Sequence, residues 1–201
     1  MHQPPDSIRS RTFAAMEKAP SKPSPPDDGT PAAKPSRSHD GPPDKKPTAF
    51  LMVCLGNICR SPLAEGILQE KARAAGLDWT IDSAGTNGYH VGEAPHHLSQ
   101  KVARHNGIDI AGQRARRFTA ADFQRFDKIY AMAGDVIDDM RRIAGRQFDP
   151  GKVELLMNEA HPGKDEDIPD PWYGPEPGYH EVYKMIDTAA GHIIAKYGHN
   201  N

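Results

Sequence analysis

The chain holds two cysteines, Cys54 and Cys59, and five residues separate Cys54 from Arg60. Both lie in the stretch Phe50-Leu51-Met52-Val53-Cys54-Leu55-Gly56-Asn57-Ile58-Cys59-Arg60-Ser61-Pro62. An apolar, β-leaning run ends at Cys54 and helical spacing starts near Ser61, so the pattern predicts a strand, a tight loop and a helix N-terminus. Such a loop turns successive backbone N–H groups inward and adds the positive end of the helix dipole, a cradle for an anion of phosphate size. A cysteine in that cradle is stabilised as the thiolate, its nucleophilic form. Arg60 adds a planar fork able to hold two phosphate oxygens. The chemistry these residue types fit is attack of a thiolate on a phosphate monoester, with Leu55, Gly56, Asn57, Ile58 and Cys59 wrapping the phosphate.

A departing phenolate needs a proton from an acid held opposite the nucleophile. Asp170 in Asp170-Pro171-Trp172-Tyr173 is the best candidate. Pro171 keeps Asp170 extended, and Trp172 and Tyr173 can wall a flat substrate ring. Ser61 is close enough to donate to the Cys54 sulfur and also suits a helix N-cap. Asn57 suits a left-handed backbone position.

The elements that must hold these residues can be read from periodicity. Apolar spacing predicts a helix from Ser61 to Ala75 with Pro62 in its first turn, and Gly76 as its stop. Trp79-Thr80-Ile81 reads as a second strand leading into Asp82-Ser83-Ala84-Gly85-Thr86. A helix follows from about Pro95 to His105, and Thr119 with Asp122 forms a capping pair for another. Lys128–Met132 reads as a third strand, Asp135–Ala144 as a helix and Val153–Leu156 as a short fourth strand. Residues 157–178 look too polar for core and long for a connector. Tyr179 to about Tyr197 carries an amphipathic C-terminal helix. Strands alternating with helices predict an α/β fold, a single three-layer domain with a four-stranded parallel sheet flanked by helices.

The full string Cys-Leu-Gly-Asn-Ile-Cys-Arg-Ser-Pro after a hydrophobic strand resembles the low-molecular-weight protein tyrosine phosphatases, over roughly Ala49 to Lys196. The resemblance implies a cysteine-dependent hydrolase of phosphotyrosine in proteins that works through a phosphocysteine and needs no metal or cofactor. It implies Cys54 as nucleophile, Arg60 for phosphate and transition-state charge, and Asp170 as general acid and then base. It also implies that Ser83 supports Asn57, and that Tyr89 stands on the rim of the cleft. Cys59 reads as a redox partner for Cys54 or as a packed thiol.

Two positions depart from the family pattern. Met132 is followed by Ala133 and Gly134 where an Asp is usual, with Asp135 as a shifted substitute or an N-cap. Asn106-Gly107-Ile108 stands where a His-Gly-Ile segment is usual. Among the rivals, an arsenate reductase needs cysteines after Cys59 to relay a disulfide, and none occurs. A phosphoarginine phosphatase carries Thr where this chain has Ile58, and a non-catalytic phosphate-binding module does not require Cys54, Arg60 and Asp170 together.

Composition sets the outer bounds. A formal net charge of −2 gives no electrostatic case for nucleic acid or an acidic membrane surface. No apolar run is long enough to span a bilayer. Two cysteines cannot staple a fold, which favours a reducing, cytoplasmic setting; the start lacks the apolar core of a secretory signal, and export without a cleaved signal stays open. Eleven of the nineteen prolines fall in residues 1–47, which read as a disordered Pro/Ser-rich tail ahead of a domain at 48–201. A phosphotyrosine protein is the expected partner, and a monomer or weak dimer the expected state. His96-His97 is unaccompanied by a cysteine or carboxylate cluster, so no metal site is expected.

Overall fold

A computed structural model describes residues 46–198. The expected tail lies almost entirely outside the described residues. The elements run β1 (Ala49–Cys54), α1 (Arg60–Ala74), β2 (Thr80–Gly85), α2 (His97–His105), α3 (Asp122–Arg125), β3 (Lys128–Ala131), α4 (Gly134–Ala144), β4 (Val153–Leu155) and α5 (Glu176–Tyr197). All four strands are parallel, in the order β2-β1-β3-β4. The expected fold class is therefore observed.

β1 is central, and it is apolar along its whole length because both of its faces are covered. Phe50, Met52 and Cys54 pack with Leu63, Ile67 and Leu68 of α1 and Val182, Ile186 and Ile193 of α5. Leu51 and Val53 face the other way, onto Phe123, Val136 and Met140. That alternation makes the three layers. Cys54 stands level with Gly85 of β2, and Val53 with Ala131 of β3, so the loops that follow these strands gather at one edge of the sheet. In open parallel sheets this carboxyl edge is where ligands bind.

Several expectations shift in detail. β2 starts at Thr80 and continues through Ser83 to Gly85, while Trp79 packs beside the strand with its ring 4.6 Å from Phe50. Ser83 is therefore a strand residue. α5 begins at Glu176, ahead of the apolar periodicity, because Pro177 suits a first turn. Residues 157–178 are not wholly outside the core: Met157 and Ile168 are buried, and the Ile168 N–H donates to Met132 O at 2.8 Å. Asp135 does not cap α4. It lies inside the first turn, and the Gly134 N–H is taken by Asp167 Oδ1 at 2.8 Å. Asn106 closes α2 by donating to Val102 O at 2.8 Å. Thr119 and Asp122 pair as expected, with the Thr119 N–H donating to Asp122 Oδ2 at 2.8 Å.

Candidate active site

The loop between β1 and α1 closes tightly because Asn57 takes a left-handed conformation, φ 57°. Its N–H donates to Cys54 Sγ at 3.2 Å, and Ser61 Oγ stands 3.1 Å from the same sulfur. The Asn57 side chain is fixed from both ends. Its Oδ1 accepts from the Arg116 N–H at 2.8 Å. Its Nδ2 donates to Ser61 Oγ at 2.9 Å and Ser83 Oγ at 2.8 Å. With both amide protons spent on the serine oxygens, the Ser61 proton is left for an acceptor of its own. The Cys54 sulfur at 3.1 Å is nearer than Ala84 O at 3.4 Å. Ser61 is the second residue of α1, whose N-cap is Cys59 without a side-chain cap bond, so the expected capping role falls away.

The Ser83 hydroxyl must in turn donate, and it does so to Glu65 Oε2 at 2.5 Å. Burial pushes the Glu65 carboxyl up to about 7, with Asp82 adding to the effect against hydrogen bonds from Ser83 and Gln69. Glu65 escaped the sequence reading. Its only signal is the i, i+4 spacing from Ser61, which puts both on one face of α1.

Around the loop, no hydrogen bond among the described residues uses the N–H of Leu55, Gly56, Ile58 or Cys59. Gly85 closes the loop's underside. A Cβ there would lie 2.9 Å from Gly56 C and Leu55 O, so only glycine permits this approach. Both cysteines are buried free thiols. Burial pushes the Cys59 thiol up to about 12, and its sulfur lies 3.7 Å from the Tyr179 hydroxyl.

Arg60 is buried, and its guanidinium ties two distant segments together. Nη1 donates to Ile168 O at 3.0 Å, and Nη2 pairs with Asp170 Oδ2 at 2.6 Å. Its Nε is buried without an acceptor among the described residues. Asp170 Oδ1 accepts the Trp172 N–H at 3.1 Å, which sets the carboxylate's orientation, while 42% of the side chain stays open to solvent.

These groups share one cleft of about 300 Å³. Cys54, Leu55, Gly56, Ile58, Cys59 and Arg60 make its base, Asn87, Tyr89 and His90 one wall, and Asp170, Trp172 and Tyr173 the other. Asn57, Ser61 and Ser83 lie behind the base. Tyr89 and Tyr173 are exposed at the rim, 85% and 98%. Trp172 is held between two histidines, its ring 5.4 Å from His90 and 5.1 Å from His96. The His96 N–H donates to Ile58 O at 2.7 Å, and its ring stacks on Tyr179 at 5.4 Å. No local pattern in the sequence marks either histidine, because their partners come from distant segments. No group of three or more His, Cys, Asp or Glu among the described residues is arranged to hold a metal ion.

Residues 49–200 match the family described as low molecular weight phosphotyrosine protein phosphatase. The chain is 37% identical over 147 residues to the low molecular weight protein-tyrosine-phosphatase YfkJ of Bacillus subtilis, covering 72% of this chain and 92% of that protein. It is 39% identical over 141 residues to the low molecular weight phosphotyrosine protein phosphatase of Schizosaccharomyces pombe, covering 68% and 89%. The crystal structure of YfkJ superposes with a TM-score of 0.68 over 73% of this chain and 92% of that one. Vibrio vulnificus Wzb, solved in complex with benzylphosphonate, superposes with a TM-score of 0.65 at 28% identity, covering 72% and 94%.

Proposed function

The chain belongs to the low molecular weight phosphotyrosine protein phosphatase family, and from that footing we propose that it removes phosphate from tyrosine side chains of proteins through a phosphocysteine on Cys54. The observation that carries the reading is the convergence of Cys54, Arg60 and Asp170 on one cleft floored by unengaged backbone N–H groups.

The Cys54 thiolate attacks phosphorus as the bond to the tyrosine oxygen breaks. Asp170, protonated, gives its proton to the departing phenolate. Arg60 and the loop N–H groups hold the equatorial oxygens, where charge is spread at the transition state. Asp170, now a carboxylate, takes a proton from water as that water attacks phosphorus. The P–S bond breaks, the thiolate returns and inorganic phosphate leaves. The hydrogen bond from Ser61 stabilises the sulfur as nucleophile and as leaving group. Tyr89, Trp172 and Tyr173 take the phenyl ring between them. Benzylphosphonate, the ligand of the Vibrio protein, is of matching shape, a phosphonate on a benzyl ring.

The same reading places the enzyme in the cytoplasm as a monomer or weak dimer acting on phosphoproteins, with both thiols reduced.

The test is hydrolysis of p-nitrophenyl phosphate by the full chain, Cys54→Ser and Asp170→Ala, with EDTA present. Activity that survives EDTA, is lost in Cys54→Ser and falls sharply in Asp170→Ala is expected. Rapid quench with labelled substrate should trap one phosphate per chain on Cys54. Undiminished turnover by Cys54→Ser overturns the mechanism.

A further inference from the structure

The cleft does not end at its Asn87–Tyr89 wall. Beyond it lies a second groove of about 570 Å³, to which Asn87 and Tyr89 also belong. Thr86, Ile143 and one carboxylate, Asp139, line this groove along with two cations, Arg117 and Arg142. A peptide whose phosphotyrosine fills the cleft must run its neighbouring residues out over one rim, at about 3.3 Å per residue if extended. The groove is an open continuation of the site in that direction.

The two cations are not equivalent. Arg142 is paired with Asp139, whose other oxygen accepts from Thr86 Oγ1 at 2.9 Å. Arg117 forms no ion pair among the described residues. Its neighbour Arg116 is ion-paired, with Asp82 at 2.8 Å and with Asp122 at 3.1 Å. The main chain of Arg117 is held in place by a parallel bridge to Gly85. Gly85 N–H donates to Arg116 O at 2.9 Å, and Phe118 N–H donates to Gly85 O at 2.8 Å. Gly85 is the residue against which the catalytic loop is packed, so Arg117 is presented beside that loop from a fixed backbone. Its stem passes Gly88, where a Cβ would meet Arg117 Cδ at 3.8 Å. Among the described residues, the other wall of the cleft, Asp170, Trp172 and Tyr173, carries no cation.

We propose that this groove is a subsite for a residue flanking the phosphotyrosine, and that Arg117 makes it select an acidic side chain, aspartate or glutamate. The inference rests on the phosphotyrosine reading of the cleft. A guanidinium at an open rim meets a carboxylate in a solvent-screened pair, so the discrimination is modest and salt-dependent. It acts on binding of ground state and transition state alike, and so appears in KM.

The experiment compares two phosphotyrosine peptides that are identical except for glutamate or lysine on both sides of the phosphotyrosine. Each is assayed with the full-length wild type, Arg117→Ala and Arg117→Glu, at low salt and at about 0.5 M salt. The readout is the ratio of kcat/KM for the two peptides within each protein, so a general loss of rate in a variant cancels. The wild type is expected to favour the glutamate peptide about three- to five-fold at low salt, with the ratio shrinking at high salt. Arg117→Ala should bring the ratio towards one, and Arg117→Glu should invert it. Equal rates on both peptides in the wild type, or a preference that survives in Arg117→Ala, overturns the proposal. A wild type that cleaves neither the peptides nor p-nitrophenyl phosphate overturns the phosphotyrosine reading itself, which separates the two failures.

Discussion

Replacing Glu65 by glutamine is expected to flatten the pH dependence of this protein's stability. Glu65 sits on the loop-facing side of α1, where its carboxyl accepts from Ser83 and Gln69. Burial, reinforced by Asp82, raises the carboxyl from the ordinary 4.5 to about 7. Between those values the folded chain keeps a proton that the unfolded chain has released. The stabilisation is therefore complete below the unfolded value and is lost as pH rises through about 7. At about 1.4 kcal/mol for each pH unit, the displacement from 4.5 to about 7 corresponds to about 3 kcal/mol. About 2.5 kcal/mol of that falls between pH 5 and pH 8. Glutamine keeps an acceptor for the Ser83 hydroxyl and carries no titrating proton. Urea unfolding followed by tryptophan fluorescence, at several pH values across that range, measures the effect in wild type and Glu65→Gln. Every other titrating group is common to the two proteins, so the difference isolates position 65. The wild type should lose about 2.5 kcal/mol relative to the variant on going from pH 5 to pH 8. Parallel stability curves would show that Glu65 does not hold a proton in the folded chain between those pH values.

Three further outcomes follow from the site's geometry. Ser61→Ala removes the donor to the Cys54 sulfur and strands one Asn57 proton, so p-nitrophenyl phosphate turnover should fall about ten- to a hundred-fold, and an unchanged kcat would count against that bond. Gly85→Ala drives a methyl to 2.9 Å from main-chain atoms of the loop, which cannot swing aside as a side chain would. A loss of about 1–3 kcal/mol in chemical denaturation, together with impaired turnover, is expected. His96→Ala takes away a ring that props Trp172, and with it the Asp170 loop, so turnover of phenyl phosphate should drop more than that of p-nitrophenyl phosphate, whose better leaving group depends less on an acid. Equal losses on both substrates would show that His96 does not act through that loop.

What the sequence determined by itself is local. The run from Phe50 to Pro62 specifies strand, loop and helix within a dozen or so residues. Its Cys-x5-Arg spacing, the left-handed Asn57 and the alternation of apolar segments follow from short-range sterics and periodicity. The element borders were less legible where packing overrides pattern. β2 runs on through polar Asp82 and Ser83 because it pairs with β1, and Ser61 enters α1 instead of capping it because Asn57 and the Cys54 sulfur hold its hydroxyl. The arrangement around Cys54 was decided by tertiary structure alone. Asp170 meets Arg60 across 110 residues, Ser83 meets Asn57 across 26, and Trp172 lodges between His90 and His96. No periodicity encodes such pairs. They exist because the strand order β2-β1-β3-β4 brings loops that are distant in sequence to the same carboxyl edge of the sheet, beside the one loop that could be read directly.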